Sequence, residues 1–173
     1  MTRPLSVLPL AVLLVACTSS GAVAPGAHAP HQHASTPQPP PLPSPVVVPL
    51  DAAALAALPR RAARETAHGQ VLDCEGVALV DLLRAAGAMP TEPLHGAQLT
   101  RYVQVDARDG HRVLFSLAEL DPTLGGNAVY LVDRCNGAAL GDDVGPLRLL
   151  APAESRPARW VRQVEAITVI VAP

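Results

Sequence analysis

The chain has no lysine: all 13 of its basic residues are arginine. Aromatic side chains are also scarce, with one tryptophan, one phenylalanine and two tyrosines in 173 residues. Few rings are available to stack on bases, and a formal net charge of -2 gives no positive field, so nucleic acid is not an expected partner. With few rings, a core must be built from Val, Leu and Ala. There is no Gly-x-Ser-x-Gly elbow, no glycine-rich phosphate loop and no zinc-spaced cluster, which argues against hydrolase, nucleotide and zinc readings. No internal repeat is visible. The abundance of Ala and of Pro, the latter at 19 residues, makes the arginine-only usage a compositional bias.

What is present begins with a targeting segment at residues 1–17. Arg3 supplies a positive start, and Leu5 to Val15 is an apolar run too short to cross a bilayer of about 30 Å as a stable helix. Leu14-Val15-Ala16-Cys17 resembles a lipoprotein signal box, with small residues just before a cysteine whose thiol receives the lipid. The alternative is an ordinary cleaved signal with an incidental cysteine. The box predicts a bacterial envelope lipoprotein anchored to the membrane through Cys17. Residues 18–45 are rich in Pro, Ala and Ser, including Pro39-Pro40-Pro41 and Pro43, and lack apolar periodicity. They predict an extended tether. His28, His31 and His33 lie on it, and the pair in His31-Gln-His33 could hold a metal weakly, but two histidines on a flexible chain make a poor metal site.

Residues 46–173 predict one modest domain. Val46 to Val48 reads as a strand and Ala52 to Leu58 as a helix capped by Asp51. Arg61 to Thr66 and Gln70 to Asp73 read as strands about a His68-Gly69 turn. Leu79, Leu82, Leu83 and Ala86 recur at helical spacing, with Gly87 just past the end. Asp109-Gly110 joins Arg101 to Asp106 with His111 to Phe115, a strong hairpin signal. Ser116-Leu-Ala-Glu119 is a capping-box pattern. Ala128 to Val132 reads as a buried strand, Asn136-Gly137 as a turn, and Trp160 to Val171 as the final strand. The fold class is α+β, mainly β.

Near the C-terminus, Arg148, Arg156, Arg159 and Arg162 gather around Trp160. Arginine presents a fixed fork of donors suited to phosphate or carboxylate oxygens. The same run also suits a solvated edge, or ion pairs with Asp142, Asp143 or Glu154. His68, His95 and His111 invite a catalytic account, but Asp109-Gly-His111 is better explained as turn chemistry. With Cys17 lipidated, Cys74 and Cys135 remain as a pair in an oxidising compartment, either bridged or as two separate buried thiols.

Pro146-x-Arg148, with Pro152 four residues on and then Trp160 after a basic residue, resembles the closing segment of the sulfite oxidase-type molybdopterin-binding domain. Gly76-Val-x-Leu79 with Leu82-Leu83 and Ala86-Gly87 is similar to that family's helix start. Ala107-x-Asp109-Gly110 with Phe115-Ser116-Leu117 resembles its hairpin, and Asn136-Gly137-x-x-Leu140 its turn. The resemblance spans about residues 46 to 171. It implies a single-domain, sulfite oxidase-like fold, a molybdopterin cofactor, oxidoreductase chemistry and a redox or envelope protein partner. It also implies cofactor contacts from Arg148 and Arg159, which match its basic positions. The family's molybdenum-ligating cysteine has no match: Cys74, two residues before Gly76, and Cys135, before Asn136, stand elsewhere. Val144 replaces a family glycine, and the loop from Pro152 to Trp160 is short. Two readings follow: a molybdopterin-binding oxidoreductase domain, or a non-catalytic binding or accessory lipoprotein that keeps the fold without cofactor.

Overall fold

The computed structural model describes residues 43–67 and 69–173. Along them run β1 (Val46–Val47), α1 (Ala52–Ala56), β2 (Arg60–Ala67), β3 (Gln70–Ala78), α2 (Leu79–Ala85), β4 (Arg101–Ala107), β5 (Arg112–Ser116), α3 (Leu117–Leu120), β6 (Tyr130–Cys135), β7 (Ala138–Ala139), β8 (Arg148–Leu150) and β9 (Val164–Val171). Two 3-10 turns lie at Gly96–Thr100 and Pro157–Arg159. The domain is mainly β, with two antiparallel sheets. One sheet has the order β1-β9-β4-β5; the other has β2-β3-β6-β7, with β8 also paired to β6.

Strand period explains the first sheet. Along β4 every second residue is buried, and Val103 and Val105 meet Val169 and Ile167 of β9. Phe115 of β5 lies opposite Val103 and is buried beside them. Asp51 caps α1 by accepting from the amides of Ala53 and Ala54, both at 3.0 Å. Ser116 and Glu119 form the expected reciprocal capping box at the start of α3.

The second sheet is shaped by two glycines. A Cβ at Gly76 would lie 2.1 Å from the Leu131 carbonyl oxygen, so only glycine lets β6 approach there, at a register shift in β3. Asn136 and Gly137 take φ of 52° and 79°, the left-handed pair that a tight β6–β7 hairpin needs. Cys74 of β3 faces Cys135 of β6, and the two form a disulfide.

Several boundaries differ from those read in the sequence; helix α1, for one, ends at Ala56 instead of Leu58. Strand β3 continues past Asp73 to Ala78, because β6 pairs with its second half. Strand β6 starts at Tyr130 instead of Ala128, where pairing with β8 begins. The final strand starts at Val164, not Trp160. Val161 instead exchanges hydrogen bonds with Leu149 of β8, at 2.7 and 3.1 Å, and the chain then crosses to the first sheet through Gln163, at φ 49°. Residues 43–45, assigned to the tether, already contact the domain: Pro43 O accepts from Arg101 Nη2, and Ser44 Oγ accepts from Val171 N. The signal segment, Cys17, tether residues 18–42 with their histidines, and His68 lie outside the described residues. Among the described residues, no helix is long and apolar enough to cross a membrane.

Candidate anion-binding site

Strand alternation aims Arg148. Leu147 and Leu149 bury into the main core, while Leu150 turns to the opposite side and joins a small cluster with Ala63, Cys74 and Val132. Arg148 shares the Leu150 side, opposite Val132 in the pairing with β6. There its guanidinium lies 5.6 Å from the centre of the Trp160 ring, within cation–π range. The indole is fixed by a hydrogen bond from its Nε1 to the Ala151 carbonyl, at 3.0 Å.

A cavity of about 550 Å³ opens beside this pair. Arg148, Trp160, Arg162, Asp109 and His111 line it, along with the small apolar surfaces of Ala107, Val144, Pro157 and Ala158. Asp109 Oδ1 accepts from the His111 amide at 2.9 Å, holding the β4–β5 turn at the cavity. Arg148 Nε is buried and has no hydrogen-bond partner among the described residues. Burial lowers the Arg148 pKa from its ordinary value, and Arg162 lowers it further, against a weaker opposing pull from Asp143. The guanidinium stays charged nonetheless. No carboxylate among the described residues pairs with this guanidinium, so an anion entering the cavity would meet an uncompensated charge.

Arg159 is placed differently. It does not line this cavity. Its Nε bonds Glu154 at 2.6 Å, and its Nη1 bonds Glu119 at 3.0 Å and the Leu114 carbonyl at 2.8 Å. Its guanidinium sits 4.2 Å from the centre of the Phe115 ring. Burial opposes its charge, but the bonds it donates to Glu119 and Glu154 outweigh this and raise its pKa. The two arginines matched by resemblance are therefore not brought into one site. Arg159 takes up the ion pair with Glu154 that its sequence neighbourhood also allowed. Arg156 is exposed, and Arg162 joins Arg148.

Sequence reading placed Asp109 and His111 in a hairpin and gave them no part in the site. The register of β4 with β9 brings that hairpin to the Gln163 crossover, where Arg108 N donates to Gln163 O at 3.0 Å. Nothing local in the sequence signals that approach.

A molybdenum centre of the implied kind needs a thiolate. Both cysteines of the described domain are committed to the disulfide, and Cys74 is fully buried. Among the described residues, no group of three His, Cys, Asp or Glu side chains is placed to hold a metal. The donors do not fit that centre, whereas Arg148 fits an anionic group. No protein-family model, curated protein or solved structure matches the chain.

Proposed function

We propose that this chain is a non-catalytic binding module of a bacterial envelope lipoprotein, and that it holds a small organic anion in the Arg148 cavity. The single observation that carries this reading is that Arg148 lines the cavity with its charge unpaired by any carboxylate among the described residues. Two guanidiniums against one carboxylate favour an anion, while Trp160 and the alanine, valine and proline surfaces suit an apolar body. A volume of about 550 Å³ also exceeds what an inorganic oxyanion would fill. The lipobox supports attachment through Cys17, tested by loss of lipid labelling in Cys17→Ser.

The binding test is calorimetric titration of the full chain with benzoate and, separately, sulfate. Benzoate should bind more tightly than sulfate, and Arg148→Ala should weaken benzoate at least about tenfold, the loss expected for a charge-assisted contact. Unchanged benzoate affinity in Arg148→Ala would sink the assignment.

A second reading is favoured by the stacking of Arg148 on Trp160, which also suits a flat anionic heterocycle. That reading is a molybdopterin-carrying redox domain of the sulfite oxidase type, with a redox partner in the envelope. Protein purified from a host that makes the molybdenum cofactor separates the two. Near-stoichiometric pterin and molybdenum would favour the redox domain, and folded, pterin-free protein the binding module.

A further inference from the structure

The disulfide and the anion site are built on the same small cluster. Cys74 lies fully buried with Ala63, Val132 and Leu150, and half-buried Cys135 and Trp160 pack against this group. Trp160 also packs against the main core, so it is held between two clusters. Strand β6 carries Cys135 at one end, and at Val132 it pairs with Arg148. At the turn beside the disulfide, Asn136 N donates to Asp73 O at 2.6 Å, and Asp73 N donates to Asn136 Oδ1 at 3.0 Å. One covalent bond thus ties β3 to the strand that aligns Arg148, inside the cluster that supports Trp160.

We propose that the Cys74–Cys135 disulfide positions the anion site, so that anion affinity depends on its oxidation state. This rests on the reading of the Arg148 cavity as an anion site. The physical reason is the size of the cluster. A large core holds its side chains by many mutual contacts, whereas here one bond replaces much of that support. A dithiol breaks the bond by exchange: two electrons and two protons pass to the protein, Cys74 and Cys135 become thiols, and the dithiol leaves as its own disulfide. The freed strands then relax, and Trp160 and Arg148 lose their fixed spacing. The cysteines act through Trp160 and Arg148, and neither touches the ligand.

The chain's single tryptophan makes Trp160 emission a direct reporter. The experiment titrates the full chain with benzoate before and after treatment with dithiothreitol, following Trp160 emission and near-ultraviolet circular dichroism. The oxidised protein should bind. Reduction should weaken binding about fivefold or more, shift the emission, and reverse on reoxidation. The variant Cys74→Ala/Cys135→Ala should behave like the reduced protein. If neither reduced form stays folded, Cys74→Val/Cys135→Ala refills the cluster without the bond, and should still weaken benzoate and shift the emission in the same direction. Equal affinity in oxidised and reduced folded protein overturns the proposal and leaves the anion site standing, and so does unaltered affinity in Cys74→Val/Cys135→Ala. No benzoate binding by the oxidised parent overturns both.

Discussion

The two hydrophobic clusters of this domain keep their shape by different means. The main core gathers Val103, Val105, Phe115, Ile167 and Val169 from the first sheet, Val77, Leu131 and Leu149 from the second, and leucines from all three helices. Its order comes from area and close packing. The smaller cluster has only Ala63, Cys74, Val132 and Leu150 fully inside, and a covalent bond runs through it. The candidate site stands on the smaller cluster. An arginine without a carboxylate partner is thus placed beside the smaller cluster, through which the disulfide runs, while the larger core lies beneath.

The comparison is broken most severely by removing that bond. A link closing a separation of 61 residues constrains the unfolded chain, so Cys74→Ala/Cys135→Ala should lose about 4 kcal/mol, read as a lower denaturant midpoint. In the main core, Leu83→Ala should cost somewhat less, about 3 kcal/mol, since a fully buried leucine leaves a cavity that neighbours only partly fill. A larger loss from Leu83→Ala than from the double cysteine variant would reverse the ranking of bond over area. The leucine variant should keep its benzoate affinity, because the large core redistributes the loss.

A third test sits at the edge of the main core. Asp121 is fully buried just after α3 and accepts from Thr123 N at 2.7 Å, from Thr123 Oγ1 at 2.5 Å and from Leu94 N at 3.4 Å. The bond from Thr123 is the chief cause of its lowered pKa, below the ordinary 3.8, against the opposing effect of burial. A carboxylate so held stabilises the fold fully above its unfolded value, and that contribution is lost as pH falls through the lower native value. Stability should therefore decline as pH falls through the ordinary carboxylate value, 3.8, towards the lower native one. Asp121→Asn should be less stable at neutral pH, by about 2 kcal/mol, and show a flatter decline. An identical acid profile in parent and variant would assign the transition to other carboxylates, such as Asp133, whose pKa is lowered first by the bidentate bond from Arg60.

Local rules made much of this fold legible. The Asp51 cap, the Ser116–Glu119 box, the helix at Leu79 and the Asp109-Gly110 and Asn136-Gly137 turns all depend on residues within a few positions of one another. The misplaced boundaries lie where a distant strand decides. Ala78 is strand because Tyr130 pairs with it, and Val161 turns away from the final strand because Leu149 takes its backbone bonds. The site divides in the same way. Arg148 and Trp160 stood out as an arginine beside the chain's one indole, whereas Asp109 and His111 join them only through the long-range register of the first sheet. Arg159 looked equivalent to Arg148 in sequence because both are arginines near a tryptophan. Glu154, five residues away, and the distant Glu119, Leu114 and Phe115, each about 40 residues or more away, separate them.

The finest test of the contrast is that pair of arginines. Arg159 has its donors filled by Glu154, Glu119 and the Leu114 carbonyl, so Arg159→Ala should lose about 1 kcal/mol of stability, the scale of a partly exposed network. Its benzoate affinity should hold within about twofold, because its charge is already matched. Arg148 carries an unmade buried donor, whose removal relieves a desolvation cost while losing the stacking on Trp160. Those effects oppose each other, so Arg148→Ala should stay within about 0.5 kcal/mol of the parent in stability while losing the ligand. A residue that costs binding but not folding is held for function, and one that costs folding but not binding is held for structure. Should Arg148→Ala fall as far in stability as Arg159→Ala, both arginines would be structural and the cavity beside Trp160 would be a packing gap.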